Sequence, residues 1–133
     1  MAADDSEAKY FLVDLESVTS ENQAFRNVIF TIPTLQLVLM CLLPGEEIEM
    51  EVHPHNAQFF RCEKGHGQIH IKVKDINGER IDRLLLKEGY AAVVNPGTWH
   101  RVINTSKTEN FQFYTIYTPA HHPPGLVQEY PSS

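Results

Sequence analysis

Short β-rich runs recur about every ten residues along this chain, each closed by turn chemistry, while helical periodicity is nearly absent. A chain punctuated this way can bury its apolar residues only by pairing strands, so the pattern predicts an all-β barrel or sandwich. Strands are expected near 8–14, 25–31, 34–43, 47–53, 58–63, 67–74, 80–86, 90–95, 100–105 and 110–118. The segments "PGEE" (44–47) and "EKGHG" (63–67) read as turns, and Asn77-Gly78 is the strongest hairpin signal, joining "IHIKVKDI" to "ERIDRLLL". A short helical turn is weakly signalled near 14–22. From Pro119 the tail "PAHHPPGLVQEYPSS" is too rich in proline for a central strand and is expected to wrap over the barrel.

The length of 133 residues, with no internal repeat or low-complexity linker, fits one domain with a real core. Lysine and arginine total 11 against 17 acids, for a net charge of −6, and no basic run appears, which argues against a nucleic-acid partner. The longest apolar run, "LVLMCLL" (37–43), is far too short to span a bilayer and suits a buried strand, so no membrane partner is expected. The polar, acidic start "MAADDSEAK" does not resemble a secretory signal. Cys41 and Cys62 lack a paired metal-binding spacing and read as free, buried thiols, consistent with a cytoplasmic protein. Asn104-Thr105-Ser106 matches a glycosylation acceptor that such a location would leave unused.

Two segments carry chemistry. From Glu47 to His53 the residues alternate strictly, with Glu47, Glu49, Glu51 and His53 on one face and Ile48, Met50 and Val52 on the other. Either the polar face is solvated, or it lines a cavity and the three apolar residues point outward and need a cover. The second segment, "EGYAAVVNPGTWHRVIN" (88–104), reads G-x5-N-P-G-x2-H-x3-N. Set beside it, the first segment runs Gly45, five residues, Glu51, one residue, His53, four residues, Gln58, six residues, Gly65.

Together these resemble the two signature motifs of the cupin superfamily, over residues 34 to 118. The second motif is matched strongly; the first is matched in spacing but altered in chemistry. The resemblance implies a double-stranded β-helix, a jelly-roll-like barrel holding a metal, with the whole of 1–133 as one cupin domain. In that domain, strands at 8–31 precede the motif-bearing barrel at 34–118, and the tail at 119–133 follows. Carried over residue by residue, the implied metal ligands are Glu51, His53, Gln58 and His100, so three histidines and a glutamate become two histidines, a carboxylate and an amide. Two imidazoles and one carboxylate with open positions suit divalent iron, and also manganese, nickel or zinc. Gln58 either offers its carbonyl oxygen to the metal or holds a bound water. His55 competes with His53 through His53-Pro54-His55, but it lies only three residues before Gln58 and is read as a rim residue. His66 is expected to be exposed in a turn, His70 to face either way, and His121 and His122 to lie on the surface.

Within cupins, "EVHPHNAQFFRCEKGHG", "GTWHRVIN" and "FYTIYTPAHHPPG" resemble small single-domain proteins of the mannose-6-phosphate isomerase-like type. That resemblance implies a metalloenzyme acting on a small polar substrate such as a sugar or sugar phosphate. Cupin-type phosphomannose isomerases are similar in setting a glutamine, a glutamate and two histidines around zinc, with the glutamine and glutamate in the opposite order. Isomerisation needs a base to shuttle a proton between adjacent carbons, a role open to Glu51, Glu49 or His55. A phosphate clamp is missing, since Arg61, Lys72 and Arg101 are scattered; Gln68 and Lys72 share parity with His70. The alternatives are an iron-dependent dioxygenase, with Phe60, Met50, Trp99, Phe113 and Tyr114 as an apolar pocket, and a non-catalytic small-molecule binding cupin. Outward apolar residues on the 47–53 strand, with the apolar N-terminal strands, further predict a homodimer.

Overall fold

A computed structural model describes residues 3–131. Among the described residues, ten strands follow one short helix in chain order. The helix α1 is Leu15–Glu21; the strands are β1 Arg26–Ile32, β2 Leu35–Leu42, β3 Glu47–Glu51, β4 Ala57–Lys64, β5 His66–Asp75, β6 Gly78–Lys87, β7 Ala91–Val94, β8 His100–Ile103, β9 Phe111–Thr118 and β10 Val127–Gln128. They form a six-stranded sheet ordered β10-β1-β2-β9-β4-β7 and a four-stranded sheet ordered β3-β8-β5-β6. Every pairing is antiparallel, and the two sheets face each other as a double-stranded β-helix, the all-β fold expected.

The inner faces follow the period-2 rule. Val28, Val38, Met40, Leu42, Phe60, Cys62, Phe111, Phe113 and Tyr117 from the larger sheet meet Ile48, Ile69, Leu86 and Val102 from the smaller one in a single core. Phe60, Phe111 and Phe113 pack ring against ring, with centroids 4.6 and 6.0 Å apart along the chain of contacts. Gly67 admits Phe111 to this cluster: a Cβ at that position would sit 2.3 Å from the Phe111 ring. Cys41 and Cys62 are both free and buried, and burial pushes their thiols up to about 11 and about 12.

Three local expectations are corrected. Residues 8–13 form no strand; Tyr10 and Leu12 lie exposed, while Phe11 stacks on Phe30 with centroids 4.8 Å apart. The weak helical signal becomes α1, whose first turn is capped by the Asp14 carboxylate accepting from the Ser17 N–H at 3.3 Å. Its C-terminal end is tied to the barrel by Gln112, which donates to the carbonyls of Ser20 and Asn22 at 2.7 and 2.8 Å. The β5–β6 hairpin turns on Ile76-Asn77, with Gly78 opening β6 at φ +113°, one residue earlier than the Asn77-Gly78 reading.

The third correction decides the opening ambiguity of β3. Its pairing with β8 slips between Ile48, opposite Val102, and Glu51, opposite His100. Three steps on β3 oppose two on β8, a β-bulge that adds one residue to the strand. The bulge breaks the strict alternation, so Ile48 and Glu51 both reach the inner face: Ile48 joins the core while Glu51 stands opposite buried His100. Glu47 instead lies on the outer face, where Arg101 grips it. The three apolar residues therefore do not share an outward face.

Candidate metal centre

The site is built at one end of the barrel from strand termini that the antiparallel order brings together. Glu51 ends β3, His53 lies two residues beyond it, Gln58 is the second residue of β4 and His100 opens β8. The two motifs are stitched by the Gly97 N–H, which donates to the His53 carbonyl at 2.9 Å. At the far end of β8, buried Asn104 donates to the carbonyls of Leu42 and Glu109 at 2.9 and 2.8 Å, which fixes the strand's exit. Its amide is thereby committed inside the protein and out of reach of glycosylation.

One donor atom from each of Glu51, His53 and His100 lies within 4.8 Å of the others. Glu51 Oε1 is 3.1 Å from His53 Nε2, and Gln58 Oε1 is 3.2 Å from His100 Nε2. Ligands at adjacent positions on one ion, each about 2.1 Å from it, would stand roughly 3.0–3.4 Å apart. The two intervals of 3.1 and 3.2 Å are compatible with neighbouring ligands on one ion.

The proton inventory is compatible with a cation between these groups. His100 Nδ1 faces the Thr98 carbonyl at 2.9 Å, and a carbonyl only accepts, so Nδ1 carries a proton. The Gln58 amide nitrogen donates to Thr115 Oγ1 at 2.9 Å, which turns its oxygen toward His100 Nε2. In this amide orientation neutral His100 presents a lone pair to another lone pair; with the amide turned over, its N–H would donate to Nε2 while its oxygen accepted from the Thr115 hydroxyl. Burial pushes His100 below the usual imidazole value, against support from the Thr98 carbonyl and Glu51, so a second ring proton is disfavoured. A cation at this point satisfies both acceptors, and the residues present fit a divalent ion.

Glu51 supplies the charge. Burial pushes its carboxyl upward, but the His53 hydrogen bond and the charges of His53, His100 and Arg26 outweigh this and hold it below the usual carboxylate value. Gln58 and His53 are buried, His100 more so at 1% exposure, while Glu51 alone opens to a cleft. That cleft, of about 610 Å³, runs along β3 between Phe25, Arg26, Met50 and His122.

The remaining residues singled out by sequence fall elsewhere. His55 is exposed in the turn after His53, and Glu49 is exposed on the cleft wall; neither joins the cluster. Gln68, His70 and Lys72 lie on the outer face of β5, where His70 Nε2 meets Gln68 Oε1 at 2.8 Å. Arg61, Lys72 and Arg101 each pair with a glutamate, Glu63, Glu79 and Glu47, so none serves the cavity. His66 is half-buried at the start of β5 rather than exposed in a turn. The proposed apolar pocket does not form: Phe60 and Phe113 are core, Tyr114 packs near Phe59 on the outer face, and Trp99 is exposed beneath Lys72.

Two further histidines stand beside the site, His121 exposed as expected and His122 half-buried rather than on the surface. His121 and His122, read as surface, are drawn to the site by buried Gln36, whose amide oxygen accepts from both their N–H groups at 3.0 and 2.8 Å. The His121 ring stands edge-on to His53, centroids 4.3 Å apart, and stacks on Tyr117. His122 Nε2 lies 3.3 Å from the Tyr117 hydroxyl, and burial, then Arg26 and His121, pull its pKa down to about 3. Only the doublet His121-His122, ahead of Pro123-Pro124, marks them in the sequence, and doublets of this kind are usually solvated.

Comparison with known proteins agrees with this architecture. Residues 38–117 match the family described as "Cupin domain". The uncharacterized protein L612 of Acanthamoeba polyphaga mimivirus is 43% identical over 117 residues, covering 88% of this chain and 70% of that protein. The uncharacterized protein YrkC of Bacillus subtilis is 41% identical over 123 residues; the alignment takes in 91% of this chain but only 63% of that protein's length. A crystal structure from Bacillus halodurans superposes with a TM-score of 0.83 at 35% identity, covering 96% of this chain and 94% of its own.

Proposed function

The chain belongs to the cupin domain family, and from that membership we propose that it is a small metalloenzyme of the mannose-6-phosphate isomerase-like type, acting on a small polar substrate. The observation that carries the proposal is the convergence of Glu51, His53 and His100 donor atoms within 4.8 Å, with Glu51 lining an open cleft. A divalent ion held by these three residues, with the Gln58 oxygen beside it, would polarise a substrate carbonyl and its neighbouring hydroxyl. The chain's own groups do the rest. Glu51 stays ionised and contributes the single negative charge, and the Thr98 carbonyl orients the His100 ring through Nδ1. Of the groups considered as base, Glu51 is committed as a ligand, while Glu49 and His55 stand outside the cluster. His121, exposed and edge-on to His53, is better placed to move a proton at the substrate.

A second reading is an iron-dependent dioxygenase, favoured by the two-histidine, one-carboxylate composition itself. The third, a binding module, uses the same cleft without turnover. Reconstitution with iron, manganese, zinc or nickel separates them, scoring aldose–ketose interconversion of sugars and sugar phosphates against oxygen uptake. Interconversion without oxygen uptake is the expected result. Oxygen uptake with iron alone favours the dioxygenase, and no turnover with any metal contradicts both enzyme readings.

A homodimer remains part of this proposal. It is supported by Tyr10, Leu12 and Val93, which expose 84%, 91% and 68% of their surface. Light scattering at micromolar concentration is expected to give twice the 15.2 kDa chain mass, and a monodisperse monomer would refute it.

A further inference from the structure

The cation that the sequence did not place near the cavity lies on β1. Arg26 pairs in register with Met40, whose side chain belongs to the inner face, and it lines the cleft together with Glu51 and His122. Its Nη1 donates to the Gln128 side-chain oxygen of β10, and its ring-facing side rests on Phe25, with Cζ 5.2 Å from the centroid. Its Nε is buried and has no hydrogen-bond partner among the described residues. Among the described residues Arg61, Arg80 and Arg101 each hold a carboxylate, whereas Arg26 and Arg83 hold none, and of these two only Arg26 lines the cleft.

The free edge has a defined chemistry. With Nη1 occupied, the pair left is Nε and Nη2, the same edge by which Arg101 grips both oxygens of Glu47 at 2.9 and 2.6 Å. Nε is covered in this conformation, so an oxyanion from the cleft meets Nη2 first and reaches Nε only as the covering side chains shift. The other charged residues lining the cleft are Glu46, Glu47, Glu49 and Glu51, with Glu47 neutralised by Arg101. One cation among acids favours a singly charged group over a dianion.

We propose that Arg26 anchors the carboxylate of a small organic acid, whose remaining oxygens reach the Glu51–His53–His100 centre. The location of those remaining oxygens rests on the metal-site reading above; the anchor itself does not. Sugar acids and other hydroxy acids carry both features, a carboxylate for Arg26 and a neighbouring hydroxyl or carbonyl for the centre.

The test is calorimetric titration of acetate, acetamide and inorganic phosphate into wild type, Arg26→Gln and Arg26→Lys, each metal-free and manganese-loaded. Wild type is expected to prefer acetate to acetamide, and Arg26→Gln to weaken acetate by about tenfold or more. Arg26→Lys, which keeps the charge but loses the fork, is expected to recover only part of the loss. Metal content and circular dichroism of the variants, expected to match wild type, exclude a folding defect. Acetate binding unchanged in Arg26→Gln, or acetamide bound as tightly as acetate, would overturn the proposal. Phosphate bound more tightly than acetate with the same Arg26 dependence would also overturn it, in favour of a phosphate anchor. If wild type takes no manganese yet acetate still depends on Arg26, the metal reading fails and the anchor stands. Manganese bound without an Arg26 effect is the converse.

Discussion

Gln36 shows how a single buried amide can carry part of a site it never touches. Fully buried on β2, it accepts from the His121 and His122 N–H groups and donates to the His122 carbonyl and Thr31 Oγ1, at 2.7 and 3.0 Å. Gln36→Ala strands several buried backbone groups and is expected to cost about 2–4 kcal/mol. Urea denaturation would read that loss, and limited proteolysis would show the tail cut first; a stability equal to wild type would contradict the anchoring role. The chain's chemistry is written partly in residues of this kind, which spacing rules pass over. Glu51, His53, Gln58 and His100 were legible because a strand terminus and a turn fix them at set intervals. Arg26, His121 and His122 were not, because tertiary pairing of β1 and the tail brings them to the site, Arg26 from 25 residues before Glu51 and the two histidines from 70 and 71 residues after it.

Among elements, β3 is the one where sequence reasoning and structure part company. Alternation from Glu47 to His53 is a strand signal, and the strand is there, but periodicity cannot reveal a bulge that adds a residue without changing composition. The extra residue is what lets Ile48 seal the core and Glu51 face the centre. Deleting Glu49, which is exposed, removes the bulge and is expected to leave the β spectrum intact while metal affinity falls about tenfold or more. Retained affinity would show that Glu51 reaches the site without the bulge. The N-terminal residues 8–13 misled in the opposite sense: an apolar run with strand composition found no partner strand, and α1 took the neighbouring place against the larger sheet. Helix α1 was hard to read because its seven residues are too few to show a helical period.

For the whole molecule, the barrel couples its stability to the tail. His122 has a folded pKa of about 3 against an ordinary 6.5, because burial disfavours its charged form. The unfolded chain therefore binds that proton first as pH falls, so stability is full above about 6.5 and declines progressively toward 3. His100 and His121 are depressed in the same direction, first by burial, and add to this slope. Glu51, held below its ordinary 4.5, contributes a separate loss at lower pH. His122→Gln is expected to flatten the decline in urea midpoint from about pH 7.5 to about pH 5 without abolishing it. An unchanged slope would mean that His122 is protonated equally in both states.

The central claim is one divalent ion per chain on Glu51, His53 and His100. Elemental analysis after reconstitution and desalting, wild type beside Glu51→Ala and His100→Ala, tests it most directly. The account predicts near-stoichiometric metal in wild type and little or none in either variant, with all three folded by circular dichroism. Wild type that retains no metal from iron, manganese, zinc or nickel, or variants that retain as much as wild type, would contradict it.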